Sequence, residues 1–125
     1  MGVHLILGLP GETGDDMQET ARELARLDLH SIKLHNLYIA KNTPLAAMAE
    51  TETVKLPTQQ AYVNWVVDFL ERIPPQFVVD RLSADAPREY LVGPEWCLDK
   101  LAVHRAIDRT FVDRGSWQGC RFPVQ

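Results

Sequence analysis

The sequence predicts an α/β fold built on a parallel crossover, and three observations carry that reading. An apolar run, Val3–Leu9, passes straight into the turn Gly8-Leu9-Pro10-Gly11-Glu12 and an acidic helix start. A helical stretch and a second strand-like segment, Ser31–Ala40, follow with short joins. A strongly periodic helix stopped by Pro74-Pro75 then leads into a third apolar segment, Phe77–Leu82. Strand, helix and strand in that order favour a right-handed parallel connection. Ligands of such folds bind at the carboxyl ends of the strands.

The elements are justified in turn. Val3–Leu9 has the unbroken apolar character of a strand buried on both faces of a parallel sheet. Thr13 and Asp16 form a capping signal, and Asp15 and Asp16 suit the first turn of a helix. Met17, Ala21, Leu24 and Ala25 then lie on one helical face, which extends to about Leu27. Within Ser31–Ala40, alternation sends Ile32 and Leu34 to one face and Lys33 and His35 to the other. A short helical patch, Leu45–Ala49, and a polar stretch through Lys55 come next. Thr58 opens a helix whose Tyr62, Trp65, Val66, Phe69, Leu70 and Ile73 form an apolar stripe. Beyond Phe77–Leu82, residues 83–97 read as irregular with a short strand at Glu89–Val92, and a last helix runs from Asp99 to Arg114 with Gly115 as its stop.

Composition narrows the function classes. The chain has 125 residues, 46% hydrophobic and 24% charged, with a net charge of −4. One domain of that length buries roughly two-thirds of its surface. Residues 1–80 carry 6 basic against 11 acidic side chains, and residues 81–125 carry 7 against 6. Neither part has the basic stripe of a strong nucleic-acid binder. Cys97 and Cys120 are too few for a disulfide framework and lack zinc spacing. Reduced thiols, no basic leader and no apolar run near the ~20 residues of a membrane span imply a cytoplasmic chain without membrane partners.

An exposed Val3–Leu9 strand poses a physical problem. Leaving Leu5, Ile6, Leu7 and Leu34 half covered forfeits up to ~1.5–3 kcal/mol each, against a domain stability of ~5–15 kcal/mol. Soluble proteins avoid such an apolar edge. A segment preceding the strand, or a second copy of the chain, is therefore expected to cover it.

Several residues are candidates for chemistry. The Gly8–Glu12 turn reads as a phosphate loop, an adenine ledge or a tight turn, and the lack of Gly-Lys-Ser/Thr argues against phosphate cradling. Lys33 and His35 on one strand face need solvated or paired surroundings, which a barrel lumen or an edge strand supplies. Asp80-Arg81 and Asp85-Ala86-Pro87-Arg88-Glu89 form a charged cluster. It reads either as surface ion pairs or as a holder of an anionic substrate. His4 reads as a hydrogen-bonded structural histidine, His30 as a loop residue and His104 as a helix-surface residue. No hydrolase triad or His-Glu-x-x-His motif is present.

The segments LILGLPGET, SIKLHNLYIAKNTPLAAM, FLERIPPQFVVDRLSADAPRE and VGPEWCLDK together resemble radical S-adenosylmethionine (radical SAM) proteins, specifically the YhcC/YtqA-type subfamily. The likeness runs from residue 3 to about residue 119, and Lys41–Pro87 also resembles the C-terminal extension of the elongator catalytic subunit. The resemblance implies an α/β fold: the C-terminal two βα units of a partial TIM-like barrel, residues 1–40, and an α/β C-terminal extension, residues 41–125. It implies that Ile6, Gly8, Leu9, Pro10, Gly11, Leu37 and Tyr38 contact the adenine of S-adenosylmethionine. Glycine there lets a flat ring approach the backbone. Lys33, His35, Arg81 and Arg88 would lie on the substrate side. No catalytic residue and no metal ligand is assigned.

The family's Cys-x-x-x-Cys-x-x-Cys motif is absent, and Cys97 and Cys120 cannot replace three cluster thiolates. The parent enzyme would use S-adenosylmethionine and a four-iron–four-sulfur cluster, neither held tightly by this chain alone. Its expected partners are the N-terminal part of its own barrel or a second copy meeting the first strand. Two other readings compete: a stand-alone, non-catalytic binding module, and an RNA-binding part of a transfer-RNA-modifying protein, which charge does not support.

Overall fold

The structure is a computed structural model, and it describes residues 2–50, 56–84 and 86–122. The polar stretch 51–55 and Asp85 of the charged cluster lie outside the described residues. Strand β1 (Gly2–Leu7) is followed by helix α1 (Gly14–Ala25) and strand β2 (Ser31–Asn36). Strand β3 (Ile39–Ala40), helix α2 (Pro44–Glu50) and helix α3 (Gln59–Glu71) come next. Strand β4 (Val78–Arg81), strand β5 (Leu91–Gly93) and helix α4 (Lys100–Arg114) complete the order. Single 3-10 turns, Arg88–Tyr90 and Glu95–Leu98, flank β5.

The expected parallel crossover is present. β2 pairs in parallel with β1 on one side and β4 on the other, in the order β1-β2-β4. Residues opposite one another include His4 and Lys33, Leu5 and Leu34, Ile6 and His35, and Leu7 and Asn36. The second segment is not one strand. Ser31–Ala40 breaks at Leu37-Tyr38, and Ile39–Ala40 pairs antiparallel with Leu91–Gly93 in a separate two-stranded sheet. The chain leaves the first sheet because its next backbone partners come from a distant segment.

Local signals set the helix ends. The Thr13 hydroxyl accepts from the Asp16 amide while the Asp16 carboxylate accepts from the Thr13 amide, a reciprocal cap. Helix α1 stops at Ala25, two residues before the expected end. Thr58 and Asp99 cap α3 and α4, and Gly115 ends α4 at φ 63°.

The core lies between one face of the sheet and helices α1, α3 and α4. Leu7, Ile32 and Leu34 from the strands pack with Met17 and Ala21 of α1, Val103 and Ile107 of α4, and most of α3. Helix α3 exceeds its expected stripe: Val63 and Val67 are buried beside Tyr62, Val66, Phe69 and Leu70, because α1 and α4 cover it from both sides. Glu71, only 1% exposed, ends this helix. Its carboxylate lies 3.3–3.6 Å from Arg72, Arg114 and Arg121, and Arg114 also donates to Asp68 at 2.7 Å. A buried carboxylate needs such partners to offset its lost hydration.

Strand β1 departs from the expectation of burial on both faces. Leu7 is buried, whereas Ile6 is 44% exposed and His4 is exposed. Helices cover only the face bearing Val3, Leu5 and Leu7.

Candidate functional site

A turn and a strand break lie at the carboxyl end of the parallel pair. Leu7 and Asn36 end β1 and β2 side by side. The turn Gly8–Glu12 leaves the first strand there, and the break Leu37-Tyr38 leaves the second. This is where parallel α/β sheets bind ligands.

The turn is built by its own residues. Gly8 and Gly11 have φ of +87° and +82°, values that favour glycine. One oxygen of the Glu12 carboxylate accepts from the amides of Gly8, at 2.9 Å, and Leu9, at 3.2 Å. The Glu12 amide in turn donates to the Leu9 carbonyl. Gly8 has a second constraint, because a Cβ there would lie 2.6 Å from the Trp65 ring. Trp65 of α3 therefore supports the turn from beneath. Around Gly11 the corresponding space is open for 4 Å.

Asn36 holds the strand break. It is buried, its side-chain oxygen accepts from the Ala84 amide at 2.8 Å, and its amide group donates to the Leu37 carbonyl. The strand end is thereby tied to the segment after β4. A concavity of about 260 Å³ opens beside it, lined by His4, Ile6, His35, Asn36, Leu37, Tyr38 and Ala84.

The face of the sheet away from the helices carries His4, Ile6, Lys33, His35 and Arg81. The His4 and His35 rings stack with centroids 5.7 Å apart, so His4 makes a ring contact rather than the expected structural hydrogen bond. The Nε2 atom of His35 is buried and has no hydrogen-bond partner. Burial, then the charges of Arg81, His4 and Lys33, hold the His35 pKa below its usual value.

The structure brings Ile6, His35, Leu37 and Tyr38 together around one concavity. Gly8, Leu9, Pro10 and Gly11 form the adjoining turn, and Lys33 and Arg81 lie on the same sheet face. Arg88 lies apart, lining another concavity with Glu95, Trp96, Leu98 and Asp99. Of the two readings of the charged cluster, the ion-pair one finds no pair on Asp80, Arg81 or Arg88 among the described residues, and Asp85 lies outside them. The supporting roles of Glu12, Asn36 and Trp65 were not read from the sequence, which placed Glu12 only in the turn and Trp65 only in the helix stripe. The Glu12 contacts span three and four residues and were open to sequence reasoning, whereas the Asn36 bond to Ala84 spans 48 residues.

The residues fit the two parts of a radical SAM site differently. An apolar concavity lined in part by Ile6, Leu37 and Tyr38 suits a flat heterocycle. The cluster does not fit. Cys97 is buried and Cys120 half-buried, and no three metal-ligating side chains converge among the described residues. Two thiols fall short of the ligand set such a cluster needs. No helix among the described residues is long and apolar enough to cross a membrane.

Comparison with known proteins bears on this geometry. The sequence profile of the Radical_SAM C-terminal domain matches residues 29–112. The chain is 42% identical to the uncharacterized protein YtqA of Bacillus subtilis over 93% of its length, covering 36% of that protein. It is 37% identical to the uncharacterized protein MJ0486 of Methanocaldococcus jannaschii over 95% of its length, covering 37% of that protein. The chain thus spans about a third of these relatives. Among solved structures, the archaeal Elp3 of Methanocaldococcus infernus with an N-terminal deletion superposes with a TM-score of 0.77. That likeness covers 96% of this chain and 28% of the other at 14% identity, and it shows the fold.

Proposed function

Because the chain belongs to the radical SAM C-terminal domain family, we propose that it forms the closing wall of a radical SAM barrel. In this reading the Gly8–Glu12 turn and the Leu37-Tyr38 break hold the adenine of S-adenosylmethionine. The single observation that carries it is that β1 and β2 end side by side at Leu7 and Asn36, with an apolar concavity lined by Ile6, Leu37 and Tyr38 beside that end. Leu37, Tyr38 and Ile6 would contact the ring faces, and open space at Gly11 leaves the backbone approachable. Trp65 and Glu12 hold the turn in its binding shape before any ligand arrives.

The sheet face with Lys33, His35 and Arg81 is the substrate side, and Arg88 would act at the outer rim. The segment preceding β1 in a longer protein would pair with the open strand edge, exclude water from this face and bring the cluster ligands. S-adenosylmethionine bound with such a cluster supplies the chemistry for hydrogen abstraction, while this chain's residues bind, orient and shield. The test is anaerobic reconstitution, with iron and sulfide, of the longer protein that carries this segment. Release of 5′-deoxyadenosine on reduction is expected, and no release under any reductant contradicts the reading.

A further inference from the structure

We propose that Lys33, His35 and Arg81 hold an oxyanion of the substrate, a phosphate or a carboxylate, on the open face of the sheet. The inference rests on reading that face as the substrate side, and it adds the chemical class. Its first support is the strand register. A bulge between Ile32 and Lys33 on the β2–β4 seam places Arg81 opposite Lys33. Like charges directly opposed across a strand pair are destabilising. A bulge is a device for re-aiming a side chain, and here it re-aims one cation onto another.

The second support is the lack of compensation. Lys33 and Arg81 make no ion pair among the described residues, and neither does Asp80, which the bulge leaves without a register partner. His4, stacked on His35, brings a further imidazole to this face from β1. The third support is the Nε2 of His35, buried without a hydrogen-bond partner among the described residues, on the same sheet face as Lys33 and Arg81. Neutral, His35 is already disfavoured from protonation by its burial and its cationic neighbours. An oxyanion seated among these groups would cancel the repulsion. It would accept charge-assisted hydrogen bonds from the lysine and the guanidinium, and from His35 once protonated.

The test is a titration of the 125-residue chain followed through the His4 and His35 imidazole signals by NMR, at constant ionic strength. Sodium phosphate and sodium acetate are used as separate probes. A saturable shift of His35, with its pKa raised on binding, is expected from one of them. Phosphate as the stronger probe assigns the phosphate class, and acetate the carboxylate class. Lys33→Gln and Arg81→Gln should each weaken binding about tenfold or more. Without added anion, Lys33→Gln should raise the melting temperature, since it removes the opposed charge.

No saturable response to either probe overturns the proposal, as does an affinity unchanged in both variants. Displacement of the bound probe by S-adenosylhomocysteine would give the site to the cofactor and overturn the substrate assignment. Adenosine added to the same samples separates the two readings. Shifts at Gly8–Glu12 without an oxyanion response refute this inference alone, whereas the reverse pattern supports the oxyanion site and removes the adenine ledge.

Discussion

The two faces of the β1–β2–β4 sheet come from the same strands and differ in almost every physical respect. On one, Leu7, Ile32 and Leu34 are buried at 2% exposure or less under three helices. On the other, one residue along, His4, Ile6, Lys33, His35 and Arg81 meet solvent or a shallow concavity. The first face accounts for folding, since apart from the hydrogen-bonded Asn36 at its end it buries apolar surface. The second carries cations that form no ion pair among the described residues, stacked histidines and an apolar residue, a mixture that stabilises little. Period-two alternation thus divides the labour: odd positions of β1 hold the chain together, and even positions face whatever the site takes.

This contrast is open to attack through stability. Leu34→Ala should cost about 2–5 kcal/mol, as large-to-small changes in closed cores do. Ile6→Ala, on the open face next to the end of β1, should cost less than about 1 kcal/mol because water already reaches it. Urea unfolding of both variants measures the difference, and equal losses would erase the distinction between the faces.

The turn and the strand break at the sheet's end give the next effects. Asn36→Leu removes the acceptor of the Ala84 amide and should cost about 1–3 kcal/mol. Gly8→Ala should cost a similar amount, roughly 1–3 kcal/mol, from the positive φ and the contact with Trp65. Combining Gly8→Ala with Trp65→Ala should recover the packing part of that loss and leave the backbone part. A fully additive double variant would mean that Trp65 does not support the turn.

The smallest effect lies in pH. Folding lowers the His35 pKa from 6.5, so below that value the unfolded chain takes up a proton that the native state resists. Stability should therefore be level above about pH 7 and fall as pH drops through about 6.5 towards the lowered native value. His35→Gln should flatten that fall in a series of thermal melts, and an unaltered slope would place the titration elsewhere.

Much of this was legible because it was local. The Thr13–Asp16 cap, the α3 stripe and the Gly115 stop each depend on residues within one or two helical turns. The separation of Lys33 and His35 from Ile32 and Leu34 followed from alternation alone. Long-range partners were not legible. Ile39–Ala40 left its strand for Leu91–Gly93, Arg81 came opposite Lys33 through a bulge, and Trp65 came to lie under Gly8. None of these pairings leaves a periodic trace in either segment. The likeness to radical SAM proteins supplied the family, while the site's supporting residues emerged only from the three-dimensional contacts.

The central claim is that adenosine binds at the shared carboxyl end of β1 and β2, beside the Gly8–Glu12 turn and the Leu37-Tyr38 break, and backbone-amide NMR of the chain titrated with adenosine tests it most directly. The account predicts saturable shifts confined to Gly8–Glu12, Leu37-Tyr38 and their neighbours Asn36 and Ala84. Shifts centred instead on Arg88, Trp96 and Asp99, or no shifts at saturating adenosine, would contradict it.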